Sequence, residues 1–240
     1  SLRAKFPKLI YAALTGFGED DHRTAFDVVL QAETGYMSMN GEKNSKPLKM
    51  PIAMIDLLAA HQLKEGILCA LIQRGQTGKG AKVSVSLYDA AIASLANQAT
   101  NYLMVQSIPD RIGSEHPNIA PYGDLFQTKE KDWIVLAIGT DKQFVDLLRV
   151  LDLSEILSDE KNITNASRVL HRQDLNVSLA STIGNLTTDK LETLLASKNI
   201  PYGRVKNMAE VFAQTMAQNL ILENQIDDNT AKRVKTAIFK

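Results

Sequence analysis

The stretch PIAMIDLLAAHQLKEGILCALIQRGQTGKGAKVSVSL occupies residues 51–87 and joins three structural patterns. Apolar residues recur at helical spacing from Asp56 to about Arg74, a turn follows between Gly75 and Gly80, and the final alternation is typical of a β-strand. A carboxylate at the point where a loop becomes a helix is expected to stay ionised, because free backbone N–H groups and the helix dipole surround it. The stretch therefore offers Asp56 as a candidate nucleophile, with helix capping as the alternative role.

The predicted helix is amphipathic. We expect its core-facing stripe to consist of Leu57, Ala60, Leu63, Ile67 and Leu71. His61 falls off this stripe and is predicted to be a surface residue, whereas Cys69 is predicted to be a packed thiol. Because Cys69 is the only cysteine, the sequence excludes an intrachain disulfide and a cysteine-based metal site. A reducing, cytoplasmic location is the corresponding prediction.

Composition narrows the class of protein. The chain has 240 residues, of which 45% are hydrophobic, as in an ordinary globular protein. Its 27 Lys and Arg residues balance its 27 Asp and Glu residues, so no basic field is available to hold a nucleic acid backbone. No apolar run approaches the roughly 20 residues that a membrane span needs. We therefore expect neither a nucleic acid nor a membrane as a partner.

The residues on both sides of the Asp56 helix predict a strand and two further helices. LIYAAL, residues 9–14, predicts a buried strand that ends in the turn Thr15-Gly16-Phe17-Gly18. A short helix is predicted over residues 25–33, and a further helix is predicted from Asp89 to Val105. Strands that alternate with helices in this order favour a parallel sheet.

The chain changes character at residues 106–123. This segment, QSIPDRIGSEHPNIAPYG, contains three prolines and two glycines, which is typical of a linker between domains. Beyond it, DLFQTKEKDWIVLAIG predicts a pair of strands joined by a polar turn, and an amphipathic helix is predicted over residues 142–151. The chain is thus expected to form two domains.

Several segments occur in an order that points to a known family. They are LIYAALTGFG, AFDVVLQAETGYMSMNG, the Asp56 helix ending in LIQRGQTGKGAKVSVSLYDA, LANQATNYL, HPNIAPYGDLF, IGTDKQF and IPYGRVKNMAEVF. Together they resemble the class III CoA-transferases, the CaiB/BaiF family, over nearly the whole chain. The members that it looks most like transfer CoA between short dicarboxylic acids. Because family members begin earlier and end later, the chain is expected to lack their N-terminal and C-terminal segments.

The resemblance implies an α/β fold: a partial Rossmann-like parallel-sheet domain plus a smaller α/β domain. Residues 1–105 would be part of the large Rossmann-like domain, and residues 106–123 would be the linker. Residues 124–215 would form the small α/β domain, and residues 216–240 would be a return segment towards the large domain. Since two chains interlock in the family, we expect a homodimer or a higher homo-oligomer.

The resemblance also implies a chemistry. Asp56 matches the family's aspartate nucleophile, which attacks an acyl-CoA and carries CoA to a small carboxylic acid through a covalent aspartyl intermediate. The residues expected to contact coenzyme A are Thr15, Gly16, Phe17, Gly18 and Gly139. Coenzyme A and acyl-CoA would be substrates, and the family needs no metal and no tightly bound cofactor.

Two alternatives to an active transferase stay open. The first is a truncated, catalytically inactive member that folds as an oligomer and binds CoA weakly or not at all. The second is an acyl-CoA racemase, which needs a histidine where this chain has Phe26, so one of the two bases would be missing. The glycine-containing turns also have a simpler interpretation, because Thr15–Gly18 and Gly139 fit ordinary strand-to-helix corners.

Overall fold

The structure is a computed structural model that describes residues 2–227 and 229–239. The chain divides into two compact units, Ser1–Gly113 and Ser114–Lys240. The division falls inside the predicted linker, residues 106–123. That the first unit belongs to the large domain and the second unit forms the small domain stays a prediction. In the part of the chain described, no helix is both long enough and apolar enough to cross a membrane.

The first unit contains two strands and six helices among its described residues. In chain order these are α1 (Leu2–Lys5), β1 (Tyr11–Thr15), α2 (Asp27–Glu33), α3 (Tyr36–Met39), α4 (Met54–Thr77), β2 (Lys82–Ser86), α5 (Leu87–Ala93) and α6 (Ala96–Val105). Gly35 follows α2 with a left-handed φ of 88°, a backbone conformation that commonly ends a helix.

The two strands of this unit are parallel, which confirms the α/β fold class. Tyr11 of β1 lies opposite Lys82 of β2, and the register continues to Thr15 opposite Ser86. The connection between them includes α4, and Gly66 of this helix packs against Val83 of β2. A Cβ atom added to Gly66 would lie only 2.5 Å from the Val83 Cγ1 atom. Glycine at this position therefore allows the helix to approach the strand closely.

The predicted burial of this unit is partly wrong. β1 is largely exposed, since it pairs with one strand only, and Leu14 keeps 50% of its surface accessible. On α4 the buried residues are Ile55, Ala59 and Ala70, whereas Leu57, Ala60 and Leu71 of the predicted stripe are exposed. The helix carries apolar residues around much of its circumference, so sequence spacing does not identify the packed face. Cys69 is also exposed, and His61 is at the surface as predicted.

The helix predicted from Asp89 to Val105 is two helices in the structure. α5 ends at Ala93, and α6 begins at Ala96, whose φ of 51° is incompatible with a continuous right-handed helix. After α6, the side chain of Arg111 binds α3 and the loop that joins α3 to α4. Its guanidinium donates to the carbonyl oxygens of Ser38 at 2.9 Å and Ser45 at 3.0 Å.

The second unit contains an antiparallel sheet and several helices. Its elements are β3 (Tyr122–Gln127), β4 (Trp133–Ala137), α7 (Asp141–Val150), 3₁₀ turns at Ser154–Ser158 and Glu160–Asn162, α8 (Asn165–Leu170), α9 (Arg172–Ile183), α10 (Thr188–Ala196), β5 (Tyr202–Arg204), α11 (Met208–Phe212), α12 (Thr215–Gln218), β6 (Ile221–Ile226) and β7 (Asn229–Val234). β3, β4 and β5 form one sheet in that order, which confirms the predicted strand pair.

The core of the second unit lies between this sheet and α7, α9 and α10. Leu147 on α7, Leu179 on α9 and Leu191 on α10 are all fully buried in it. α7 begins with a capping box in which Thr140 and Gln143 bond each other's backbone N–H groups, so the helix start is fixed locally. β6 and β7 form a separate antiparallel ribbon, and the assignment of residues 216–240 as a return segment stays a prediction.

Candidate active site

Asp56 lies in the first turn of α4 rather than at its N-cap. The helix begins at Met54, so Asp56 is its third residue, and the N-cap residue Ala53 makes no side-chain capping bond. The capping role considered from sequence is therefore not the role that Asp56 has here. Its side chain is exposed, and among the described residues its carboxylate accepts no hydrogen bond from another side chain or from the backbone. Within the described residues, both oxygens of this carboxylate are therefore available to a ligand or to water.

The start of α4 is capped from another helix. The Asp27 carboxylate, at the beginning of α2, accepts the N–H of Ile55 at 2.7 Å and the N–H of Asp56 at 3.3 Å. Gln31, one turn further along α2, donates to Asp27 and accepts the N–H of Met50 at 2.7 Å. Sequence reasoning missed this role for Asp27, because the residues that it caps lie 28 and 29 positions away.

The electrostatics of Asp56 differ from the sequence prediction. Part of its hydration is displaced by neighbouring atoms, and this desolvation raises the pKa of the Asp56 carboxyl; the negative charge of Asp27 raises it further. The helix N–H groups that were expected to hold Asp56 ionised bind Asp27 instead. A carboxylate with a raised pKa holds its proton more tightly and is a stronger nucleophile once ionised.

The turn Thr15–Gly18 lies at the same edge of the sheet as the start of α4. β1 and β2 are parallel, so the helix that joins them runs back and begins at the carboxyl end of β1. α5 begins at this edge as well, and its Tyr88 donates its N–H to the Gly16 carbonyl oxygen at 3.0 Å. The carboxyl edge of a parallel sheet is the usual ligand site in open α/β folds.

The four residues of this turn have different surroundings. The Thr15 hydroxyl is buried and has no hydrogen-bond partner among the described residues, and a Cβ on Gly16 would lie 2.2 Å from the Ala25 Cβ atom. Phe17 packs under the Arg23 guanidinium at 3.7 Å, so its ring already has a structural partner. Gly18 has a φ of 122° and open space around it, which leaves room for a ligand. Contact with coenzyme A stays a prediction for all four.

Gly139 belongs to the second unit and follows β4. Its N–H donates to the Gln143 side-chain oxygen at 3.0 Å, and a Cβ there would lie 3.8 Å from that oxygen, which is an ordinary contact. The local geometry thus fits a strand-to-helix turn. Contact between Gly139 and coenzyme A also stays a prediction.

Comparison with known proteins identifies the family. The model of CoA-transferase family III matches residues 1–239. The chain belongs to this family. A succinate–glutarate CoA-transferase of Agrobacterium fabrum is 33% identical over 235 residues, which are 96% of this chain and 58% of the relative. The human succinyl-CoA:glutarate CoA-transferase is 34% identical over 222 residues, covering 90% of this chain and 50% of the relative.

Solved structures agree with the family assignment. A CaiB/BaiF family protein from Brucella suis superimposes with a TM-score of 0.82 at 33% identity, over 100% of this chain and 63% of that protein. A Mycobacterium tuberculosis protein at 24% identity gives a TM-score of 0.85 over 99% of this chain and 64% of that protein, and supports the fold alone. The CoA-transferase family III member described here thus spans about half to two thirds of the length of the proteins that it matches.

Proposed function

We propose that this chain acts as a CoA-transferase that moves CoA between an acyl-CoA and a small carboxylic acid, with Asp56 as the nucleophile. The observation that carries the proposal is the Asp56 carboxylate, which has a raised pKa and no hydrogen-bond partner in the described residues, at the carboxyl edge of the parallel sheet. The named activities of the relatives support CoA transfer, and succinate and glutarate are the acids that two of those names share.

The proposed reaction conserves the thioester energy. An Asp56 carboxylate oxygen attacks the thioester carbonyl, the C–S bond breaks, and CoA leaves as a thiolate while an acyl-aspartyl anhydride forms. The thiolate then attacks the aspartyl carbonyl, which releases the first carboxylic acid as its anion and leaves an aspartyl-CoA thioester. The acceptor carboxylate displaces CoA to form a second anhydride, and the thiolate attacks the acceptor's carbonyl to give the new acyl-CoA and free Asp56.

The exposure of Asp56 sets a requirement on this mechanism. Because water would hydrolyse the anhydride, this mechanism needs a nucleophile that is shielded from water, yet the Asp56 side chain is exposed in the first unit. We infer that bound acyl-CoA and a second copy of the chain provide the cover. Light scattering is expected to show a dimer or a larger oligomer, and a monodisperse monomer would contradict this inference.

Trapping of the intermediate tests the proposal. Incubation with succinyl-CoA, followed by hydroxylamine, is expected to modify Asp56 and no other carboxylate, as measured by peptide mass spectrometry. The matched control is Asp56→Asn, which keeps the size of the side chain and removes the nucleophile, and which is expected to remain unmodified. An unmodified Asp56 at saturating succinyl-CoA would overturn the proposed reaction.

A second candidate function is a folded family member without turnover. The exposure of Asp56 favours it, because an unshielded anhydride is not productive. This alternative expects weak or no binding of coenzyme A, so a micromolar affinity measured by calorimetry would count against it. Racemisation is not proposed, because the Phe26 side chain accepts no proton at the position where a second base is needed.

A further inference from the structure

The nucleophile in the proposed function sits at the end of a segment that α2 holds in place. Four backbone groups of residues 50–56 bond to two side chains of this helix. Gln31 accepts the Met50 N–H at 2.7 Å and donates to the Ile52 carbonyl oxygen at 3.4 Å, and Asp27 accepts the N–H groups of Ile55 and Asp56. Since the N-cap Ala53 has no capping side chain, these bonds replace a local cap.

We propose that Asp27 and Gln31 are positioning residues for Asp56, which hold the start of α4 and keep its free N–H groups bound to Asp27 instead of Asp56. This inference rests on the proposed function for its catalytic consequence, and on the hydrogen bonds alone for its structural part. Neither residue would touch the reacting atoms.

Gln31 is the part of this pair that fixes the geometry. Its residue surface is 1% exposed, so its amide cannot exchange its partners for water. The amide also donates to the Asp27 carboxylate, and this bond fixes the rotamer of Asp27 relative to the start of α4. Loss of Gln31 would therefore leave the Met50 N–H and one Asp27 oxygen without these partners.

Asp27 is the part that affects reactivity. The first N–H groups of a helix lower the proton affinity of an anion that binds them, and they also weaken it as a nucleophile. Because Asp27 occupies these groups, Asp56 keeps a high proton affinity and a strong nucleophilic oxygen. The other ionisable groups on the elements that pack against α4 are Tyr11, Glu33, Lys82, Tyr88 and Asp89. In the part of the chain described, Asp27 is the only charged group that contributes to the raised pKa of Asp56.

The first test is hydrogen exchange on the unmodified protein. The Ile55 and Asp56 amides occupy helix positions that have no intrahelical acceptor, so they exchange rapidly unless Asp27 caps them. We expect both amides, and that of Met50, to be protected. Exchange of these amides at the rate of an unfolded chain would overturn the proposal by itself.

The second test compares Asp27→Asn with Gln31→Met. Asp27→Asn keeps one acceptor oxygen and removes the charge, so an NMR titration on isotope-labelled protein is expected to show a lower pKa for Asp56 than in the parent. Gln31→Met keeps the buried volume and is expected to lose protection at Met50. An unchanged Asp56 titration in Asp27→Asn would overturn the role of Asp27, and retained protection in Gln31→Met would overturn that of Gln31.

Kinetics connects the pair to catalysis. Gln31→Met is expected to lower kcat by roughly 100-fold with little change in KM, because the nucleophile is displaced while the substrate contacts remain. A parent protein without transferase activity but with protected amides would refute the proposed function and leave the positioning role intact. An active parent, in which both variants retain full kcat, would refute the catalytic consequence alone.

Discussion

The two units differ in how much apolar surface they bury. Among the described residues of the first unit, the buried cluster has six members, of which three are alanines: Leu30, Ile55, Ala59, Leu87, Ala90 and Ala91. In the described part of the second unit the cluster has fourteen members, and all are leucine, isoleucine or phenylalanine. Because stability rises with the apolar surface removed from water, the second unit has the stronger core of the two. The candidate nucleophile thus lies in the unit that depends more on additional contacts.

The buried ion pair of the second unit offers the largest expected effect. Arg172 pairs with Asp124 at 2.9 Å and donates to the Ile119 carbonyl oxygen at 2.7 Å, with both charged side chains almost fully buried. Arg172→Ala would leave the Asp124 charge buried without its cation, so we expect a loss of about 3–5 kcal/mol in the free energy of unfolding. Urea denaturation followed by the fluorescence of Trp133, the only tryptophan, measures this loss.

The matched control for that experiment is Lys161→Ala. Lys161 pairs with Asp174 at 2.7 Å in the same unit, but both side chains are exposed to water, so its removal is expected to leave the stability almost unchanged. Equal losses in the two variants would show that burial does not distinguish the pairs.

Core truncation provides the next largest effect. Leu147 is fully buried, and Leu147→Ala is expected to cost about 2–5 kcal/mol, since it removes apolar contacts and leaves a cavity. Leu71 on α4 of the first unit keeps 39% of its surface exposed, and Leu71→Ala is expected to cost about 1 kcal/mol or less. Far-UV circular dichroism during urea denaturation measures both. A larger loss for Leu71→Ala would mean that its exposed face is covered in solution.

Alanine substitutions at two glycines of the first unit are expected to change the free energy of unfolding in opposite directions. Gly16→Ala would place a Cβ 2.2 Å from the Ala25 Cβ atom, and we expect a loss of about 1–3 kcal/mol from the forced shift. Gly75 lies inside α4 with no atom near its missing Cβ, so Gly75→Ala is expected to gain about 0.5–1 kcal/mol through a smaller loss of chain entropy. Thermal denaturation compares them, and two losses would contradict the described packing.

The smallest expected effect is a pH dependence that differs in sign between the units. The pKa of Asp56 is raised by desolvation and by Asp27, so its contribution to stability is present below the unfolded pKa of about 3.9 and is lost as pH rises through the folded pKa. The pKa of Asp174 is lowered by its hydrogen bond to Lys161, so its contribution is present above about pH 3.9 and is lost as pH falls.

The substitutions Asp56→Asn and Asp174→Asn reveal these signs. As pH rises from about 3 to about 7, Asp56→Asn is expected to gain stability relative to the parent, whereas Asp174→Asn is expected to lose it. Urea denaturation across this range measures both differences. Parallel curves for the two variants would show that the two carboxylates have the same environment.

Local patterns predicted much of the fold. The alternation in residues 82–86, the hairpin of β3 and β4 and the start of α7 all follow from neighbouring residues, such as the capping box of Thr140 and Gln143. Predictions failed where tertiary packing determines which residues are buried. α4 carries Leu57, Leu68 and Ile72 on exposed positions, so its apolar spacing could not identify the side that meets the sheet. The break between α5 and α6 was also missed, because the sequence has no glycine or proline near Ala96.

The candidate site was predictable in part. Asp56 stands out because one acid precedes a long apolar run, and the family resemblance adds a role to it. The cap by Asp27 arises from a contact between two helices, so no local sequence pattern predicts it. The raised pKa of Asp56 comes mainly from desolvation and further from the charge of Asp27, and neither cause is visible in the local sequence. Spacing along the chain therefore finds the candidate nucleophile and misses the residues that cap the start of its helix.

The bonds of Arg111 have a consequence for how the loop of residues 40–50 can vary over evolution. Arg111 binds the carbonyl oxygens of Ser38 and Ser45, and every amino acid carries such an oxygen. Lysines at positions 43, 46 and 49 can therefore be exchanged freely, but a deletion would move the oxygens out of reach. Gly41 is the exception, because a side chain there would meet Arg111 Cδ at 3.1 Å. We expect related sequences to have different amino acids in this loop but the same loop length.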